Sequence, residues 1–299
     1  MALAESDSGS ANEEGPNTVA RNFKRTLRNI IHEGQYSCQQ TFNADECTLF
    51  WQTMPLRERI SLLFCSNTSG DLKIKPLVVY KQQYPRCFRV NHVVTSELPV
   101  MWKSHPRAWI NRALFMEWLQ NAFAPTVRNY LQEKRLPIKC LLILDNGPAH
   151  PTSLLQEGLE GDLDFIKVIF LPPHTSQLLQ PMDQQLIASF KKNYVMSLFT
   201  YCHNELNEYG YRITFRDYLR HYFNIFKCIH LIKEAWEEVT PRTLRAAWRN
   251  LWPWPFCIHD CGRFRGIHRQ FVIQEIITLG NDMGLQMERA DVQQIIRDI

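Results

Sequence analysis

The chain has 299 residues, of which 45% are hydrophobic, 12% aromatic and 21% charged. These proportions are typical of a soluble globular protein and exclude a chain that is disordered or collagen-like as a whole. The formal net charge of +4 is too small to indicate a partner by itself.

The sequence predicts no membrane span, because no window holds the roughly 18 consecutive apolar residues that a spanning helix needs. Its first residues are small and acidic, unlike a secretory signal. The nine cysteines are an odd number in a chain long enough to fold without disulfides. We therefore expect a reducing compartment, the cytosol or the nucleus.

The amino-terminal segment changes character at Arg21. Residues 1–20 hold almost no large apolar side chains and are predicted to be a disordered tail. Beyond them, apolar residues fall on one helix face and predict an amphipathic capping helix over residues 21–35, namely Phe23, Leu27, Ile30 and Ile31.

The next segments predict a short strand and a hairpin. Residues 40–45 form the strand, which runs into the acidic pair Asp45 and Glu46. Residues 67–71 have the composition of a hairpin turn between strands at 60–66 and 73–80. Pro76 predicts that the second of these strands is an edge strand or carries a bulge.

Further along, helices and strands are predicted in alternation: a helix over 109–131 that Pro125 can interrupt, a strand over 140–144, a short helix from Thr152 or Ser153, a strand over 165–171 and a helix after Pro181. Residues 140–144 are apolar at every position, which is typical of a strand buried on both faces. The alternation predicts an α/β fold with a mixed sheet.

Three aspartates lie where a sheet fold normally places ligands. Asp45 and Asp145 follow predicted strands, and Asp183 falls in the first turn of a predicted helix, on the face that packs inward. A buried cluster of carboxylates needs a cation, and Mg²⁺ or Mn²⁺ suits oxygen ligands. Two such ions could promote an in-line phosphoryl displacement. From spacing alone, a helix cap and two turn formers are the favoured alternative, because Asp is common in both roles.

The motifs around these aspartates are Asn43-Ala-Asp-Glu46, Leu142-Ile-Leu-Asp-Asn-Gly-Pro-Ala-His-Pro151 and Leu171-Pro-Pro-His-Thr-Ser-Gln-Leu-Leu-Gln-Pro-Met-Asp-Gln184. They resemble the pogo and Tigger branch of the mariner-type DDE transposases, which includes the centromere protein B and Jerky proteins. The resemblance covers roughly residues 21–290. It implies an RNase H-like fold and a catalytic, metal-binding triad of Asp45, Asp145 and Asp183, with two Mg²⁺ or Mn²⁺ ions as cofactors for DNA strand cleavage.

The resemblance also implies a division of the chain. We expect a DDE-type endonuclease domain over 36–205, with an RNase H-like mixed sheet flanked by helices, and a mainly helical region over 206–299. The leading hypothesis is a nuclear, transposase-derived DNA-binding protein with an intact triad. The alternative is a catalytically silent, domesticated DNA- or chromatin-binding protein that uses the fold as a scaffold.

The intact triad favours the first hypothesis. The second is favoured by a segment before Arg21 that is too short for the helix-turn-helix modules of the family, and by a short link between the first two strands. Whether the chain is an enzyme, and whether it forms a homodimer, stays open at this level.

A cluster of arginines follows Pro241. Arg242, Arg245 and Arg249 would line one helix face and could contact DNA phosphates, with a merely solvated face as the alternative. Nearby tryptophans could stack on bases or belong to the core, namely Trp236, Trp248, Trp252 and Trp254.

Other polar residues are weaker candidates. Asn146, His150 and His174 flank the triad and could position water or substrate, although His150 could equally begin a helix. A set of zinc-type side chains does not have the usual zinc-knuckle spacing, so we expect no zinc there: Cys257, His259, Cys261 and His268.

Overall fold

The computed structural model describes residues 15–52, 58–151, 159, 161–210, 212–253 and 267–299. The strands are β1 (Thr41–Gln52), β2 (Glu58–Asn67), β3 (Leu77–Tyr80), β4 (Met101–Ser104), β5 (Cys140–Leu144) and β6 (Ile166–Phe170). The helices are α1 (Pro16–Glu33), α2 (Arg86–Val90), α3 (Arg112–Trp118), α4 (Ala124–Glu133), α5 (Ser176–Leu179), α6 (Ile187–Glu208), α7 (Phe215–His221), α8 (Ile225–Glu237), α9 (Pro241–Trp248), α10 (Ile267–Asp282) and α11 (Arg289–Asp298).

The six strands form one mixed sheet in the order β4-β3-β2-β1-β5-β6. Strands β1, β2 and β3 form an antiparallel meander, and β5 and β6 are added to it in parallel with β1. This topology, with helices on both faces, is the one expected of an RNase H-like domain. The predicted fold class is confirmed.

Strand β1 is longer than the predicted residues 40–45. It pairs with β2 as far as Gln52, opposite Glu58, but with β5 only from Thr41 to Asn43. Asp45 therefore lies within a strand, and the prediction that it ends one was wrong. Polar side chains interrupt the apolar pattern here, while hairpin pairing with β2 keeps the backbone extended.

The hairpin predicted at residues 67–71 is confirmed, since β2 and β3 are antiparallel with Ser61 opposite Val79. Gly70 has a φ of 75°, and a Cβ there would lie 2.8 Å from the carbonyl oxygen of Pro241.

Pro76 precedes β3, which pairs with both β2 and β4 and is not the edge strand that Pro76 allowed. The predicted alternative of a bulge is supported, because the pairing with β2 is offset by one residue between Leu63 opposite Leu77 and Ser66 opposite Lys73.

The helix predicted over residues 109–131 begins instead at Arg112, where the side chain of Asn111 caps α3. It continues through the π-helical turn Leu119–Phe123 into α4. Pro125 follows this wide turn, which accommodates the missing N–H and the ring without ending the helix.

Helices cover both faces of the sheet. The α3–α4 segment packs against side chains such as Phe42 and Leu142, while α6 to α9 pack on the opposite face around Phe64. Helix α1 covers the β5–β6 end of that second face. Among the tryptophans considered for base stacking, those within the described residues belong to the core, namely Trp236, Trp248 and Trp252. Trp254 lies outside the described residues.

The predicted boundary at residue 205 lies inside α6, and one hydrophobic cluster joins β1 and β2 to α6, α7 and α8. The division into domains stays a prediction. Helix α1 begins at Pro16 after an N-cap at Gly15, so residues 16–20 of the predicted tail are helical. None of the described helices is both long and apolar enough to cross a membrane.

Lys73, just before β3, ties the sheet to the carboxyl end of α8. Its Nζ donates hydrogen bonds to the backbone oxygens of Trp236 at 2.7 Å, Glu237 at 2.8 Å and Val239 at 3.0 Å. Carbonyls at a helix end have no partners within the helix, and a cation there also interacts favourably with the helix dipole.

We expect Lys73→Met to lower the free energy of unfolding by about 1–3 kcal/mol, because it removes charge-assisted hydrogen bonds at a partly buried helix end. Urea unfolding followed by circular dichroism measures the change. The exposed Lys75 is the matched control, and Lys75→Met should change the stability by less than about 0.5 kcal/mol. Equal effects of the two substitutions would show that the Lys73 contacts do not stabilise the fold.

Candidate functional site

Asp45 and Asp145 lie beside each other where β1 and β5 separate. Asp45 is only 7% exposed, and its Oδ1 accepts the backbone N–H of Glu46 at 2.8 Å. It lies opposite Phe64, on the face of the sheet that packs against α6. Asp145 directly follows the last residue of β5 and is partly exposed.

Asp183 lies in the π-helical segment Met182–Leu186, before the regular helix α6. Gln184 and Gln185 have non-helical backbone angles there, and Gln185 has a φ of 73°. Asp183 is exposed, so the prediction that it occupies a regular first turn on the inward face was wrong. The kink breaks the regular helical periodicity on which that prediction depended.

The three aspartates are nevertheless brought together. Burial and the negative charges of Asp183, Glu46 and Asp145 raise the pKa of Asp45, and a contact with Gln180 partly offsets this rise. Loss of hydration on its inner side and the charge of Asp145 raise the pKa of Asp183, with a contact to Asp45 opposing the rise. Ionisation of all three aspartates is therefore unfavourable in the metal-free protein.

Glu46 takes part in a second cluster on the other face of β1. His150, which is buried against Phe115, has its Nδ1 2.8 Å from Oδ1 of Asp145 and its Nε2 3.1 Å from Oε1 of Glu46. These are ion-pair distances, and the aligned hydrogen bond of the ring joins Nδ1 to the backbone oxygen of Asp145 at 3.1 Å. Burial alone lowers the pKa of His150, but the two carboxyls outweigh burial and raise it to about 10.

The ligand atoms of Glu46, Asp145 and His150 lie within 4.8 Å of one another, which makes them a candidate metal-binding group. The two carboxyls face different nitrogens of the ring, however, and the lone pairs of those nitrogens diverge. One ion therefore cannot be bound by the ring and both carboxyls in this arrangement. His150 is better described as a bridge that orients Asp145. The sequence interpretation missed Glu46, although strand alternation places it on the face opposite Asp45.

Asn146 and His174 are exposed at the edge of the site. Together with Asp145 and Ser176 they line a small open cleft beside the carboxylates. Among the three flanking candidates, Asn146 and His174 thus border this cleft, whereas His150 is buried on the other side of Asp145.

The donor set fits a hard divalent cation. Three carboxyl groups meet at one place, and the almost fully buried Asp45 requires either a countercharge or protonation. Gln180 is fully buried beside Asp45, and neither its Nε2 nor its Oε1 has an aligned hydrogen bond. Carboxylate and amide oxygens of this kind are the ligands that Mg²⁺ and Mn²⁺ prefer.

The predicted arginines lie on α9 and at its end. Arg242 and Arg249 are exposed, while Arg245 is partly buried and donates to the backbone oxygen of Ser69 at 3.5 Å. Arg245 thus contacts the β2–β3 turn. Three of the residues considered for zinc lie outside the described residues, namely Cys257, His259 and Cys261, and nothing is described of the side chain of His268.

Residues 57–248 match the family model of the DDE superfamily endonucleases. Over 257 residues the chain is 32% identical to human Tigger transposable element-derived protein 7, covering 77% of this chain and 45% of that protein. It is 29% identical to the human Jerky protein homolog, covering 83% of this chain and 43% of that protein. The chain thus spans less than half the length of these curated relatives.

Solved structures of Mos1 transposase are more distant. The catalytic domain of Mos1 mariner transposase is 16% identical, with a TM-score of 0.36, and the match covers 79% of this chain and 96% of that one. A Mos1 transposase paired-end complex with the left transposon end gives a TM-score of 0.38 at 16% identity, covering 84% of this chain and 68% of that one.

We expect Asp45→Asn to stabilise the metal-free protein by about 1–2 kcal/mol, because it removes a buried charge at almost constant volume. The asparagine keeps the oxygen that accepts the backbone N–H of Glu46. Thermal unfolding in the presence of a chelator measures the change. Asp164→Asn, at an exposed position on the β6 side, is the control and should have little effect. Loss of stability in Asp45→Asn would contradict the repulsion inferred at the site.

Proposed function

Because the chain belongs to the DDE superfamily endonuclease family, we propose that it is a nuclear DNA-binding protein derived from a pogo- or Tigger-type transposase. In this proposal Asp45, Asp145 and Asp183 form the triad for metal-dependent phosphodiester cleavage. The observation that carries the proposal is the convergence of these carboxyls from three separate segments, where burial and neighbouring negative charge raise the pKa of Asp45 and Asp183.

The carboxylates of Asp45, Asp145 and Asp183 would hold the divalent cation, which is Mg²⁺ or Mn²⁺. The proposal places two such ions at the site. When bound, a divalent cation supplies a Lewis acid for a phosphate oxygen and lowers the pKa of a coordinated water. His150 would orient the carboxyl of Asp145 from behind. Asn146 and His174 border the cleft through which a substrate would approach.

The position of α9 supports a DNA path beside the triad. Helix α9 carries the exposed Arg242, and Arg249 directly follows it. Nδ2 of Asn250 donates a hydrogen bond of 2.8 Å to Oε1 of Gln184, the residue after Asp183. Phosphates bound by these arginines would therefore lie near the segment that carries Asp183. The protein would bind DNA as a monomer or as a homodimer.

The first test is cleavage of a DNA substrate with a pre-formed branch, which avoids dependence on a separate sequence-reading module. We expect Mn²⁺-dependent nicking by the wild type, because the three carboxylates would bind the ion beside the phosphate. Asp45→Asn, Asp145→Asn and Asp183→Asn should each reduce nicking by at least about 100-fold, and gel electrophoresis measures the product.

The control for this test is Lys75→Met, an exposed change away from the triad that should leave nicking unchanged. Mn²⁺ could stabilise the wild type while neither the wild type nor any variant nicks the DNA under any condition. In that case the silent DNA-binding alternative replaces the catalytic one. If nicking persists in the aspartate variants, the triad assignment is wrong.

The second test concerns DNA affinity. If Arg242 and Arg249 contact phosphates, replacing each with Ala should reduce the slope of log affinity against log salt by about 1, because fewer counterions are released. Fluorescence anisotropy with a random-sequence duplex measures the slope. Arg245→Ala should mainly lower thermal stability, since Arg245 contacts Ser69. Unchanged slopes in both Arg242 and Arg249 variants would contradict the proposed DNA surface.

A further inference from the structure

One buried side-chain amide connects the three segments that carry the aspartates. Nδ2 of Asn43 donates a hydrogen bond of 2.9 Å to the backbone oxygen of Ile143 in β5. Oδ1 of the same residue accepts the backbone N–H of Met182 at 3.0 Å. Asn43 itself lies in β1 and is fully buried. A single planar group therefore contacts β5 and the π-helical segment from β1.

The three contact points lie next to the three carboxyls in sequence. Asp45 is two residues after Asn43, Asp145 is two residues after Ile143, and Asp183 directly follows Met182. Asn43 and Ile143 also form the last pair of the parallel ladder between β1 and β5. Beyond that pair no ladder hydrogen bond fixes the distance between the β1 and β5 segments that carry Asp45 and Asp145.

The segment of Asp183 depends on the same amide. It contains the two non-helical residues Gln184 and Gln185. The backbone N–H groups of Asp183 and Gln184 donate to the carbonyl oxygen of Gln180 at 3.2 Å each, which connects the segment to the preceding turn and not to the sheet. The hydrogen bond from Met182 to Asn43 holds it against β1 immediately before Asp183. Metal binding is sensitive to such positions, since a site functions only with ligand distances within about 0.2 Å of ideal values.

We infer that Asn43 is a positioning residue that fixes the spacing of Asp45, Asp145 and Asp183 and thereby sets the affinity of the site for a divalent cation. The inference rests on the proposed function, in which these three carboxylates bind the ion. An apolar side chain of similar volume could fill the space of Asn43, but it could neither donate to Ile143 nor accept from Met182.

The experiment compares Asn43→Ala with a matched asparagine elsewhere in the sheet. Asn67 is also fully buried, and its Oδ1 accepts the backbone N–H groups of Gly70 at 3.0 Å and Leu72 at 3.1 Å in the β2–β3 turn. For each protein, Mn²⁺ affinity is measured by titration calorimetry, the bound ion by its electron paramagnetic resonance spectrum, and folding by thermal unfolding without metal. Asn43→Ser is included in case the alanine variant does not fold.

We expect Asn43→Ala and Asn43→Ser to weaken Mn²⁺ binding by at least about tenfold and to alter the resonance spectrum of the bound ion. Asn67→Ala should lower the melting temperature while leaving Mn²⁺ affinity within about twofold of the wild type. If the Asn43 variants lose stability but bind Mn²⁺ as the wild type does, Asn43 is only structural and the inference fails alone. If the wild type binds no Mn²⁺, the proposed function fails and the inference fails with it.

Discussion

The parallel pairing between β1 and β5 ends early, and this determines where the carboxyl groups of the candidate site lie. The two strands pair only as far as Asn43 and Ile143, whereas β1 continues for nine more residues in its hairpin with β2. The strand stays extended beyond its neighbour, so successive side chains point to opposite faces at an open edge. Asp45 is thereby directed toward Asp183, and Glu46 toward His150.

This arrangement places like charges where water is partly excluded. On one face burial and the charge of Asp183 raise the pKa of Asp45, while on the other face the imidazole of His150 offsets the charges of Glu46 and Asp145. Asp145 is common to both groups. A carboxyl held from behind by His150 keeps a defined orientation toward the other two aspartates, so the buried histidine contributes to the geometry of a site that it does not enter.

The parts of the fold that sequence could predict are those set by local composition. Strand β5 matches its predicted bounds because every residue is apolar, and the β2–β3 hairpin follows from its turn residues. The length of β1 could not be predicted in this way, since pairing with β2 overrides a polar stretch. The positions of Asp45, Asp145 and Asp183 in the predicted elements made them candidates, and the family resemblance favoured a catalytic triad over a helix cap and two turn formers.

The remaining features of the site depend on contacts distant in sequence or on irregular backbone. The partners of Asn43 lie 100 and 139 residues away, so no local pattern reveals its role. The position of Asp183 depends on a kink with a φ of 73° at Gln185, which breaks helical periodicity. Glu46 was visible as an acidic neighbour of Asp45, but its partner His150 could be found only from the fold.

The helices after residue 205 also contribute to the position of the site. Gln184 donates to the backbone oxygen of Gln177 at 2.8 Å and accepts from Asn250 at 2.8 Å, so the segment of Asp183 is held both from α5 and from the end of α9. At its other end α9 packs against Gly70 in the β2–β3 turn, and Lys73 of the same connection binds the end of α8. The arginines of α9 and the carboxyl of Asp183 are therefore fixed by the same helix. For the proposed function, this means that binding of phosphates and orientation of the triad depend on one set of contacts rather than on two independently moving domains.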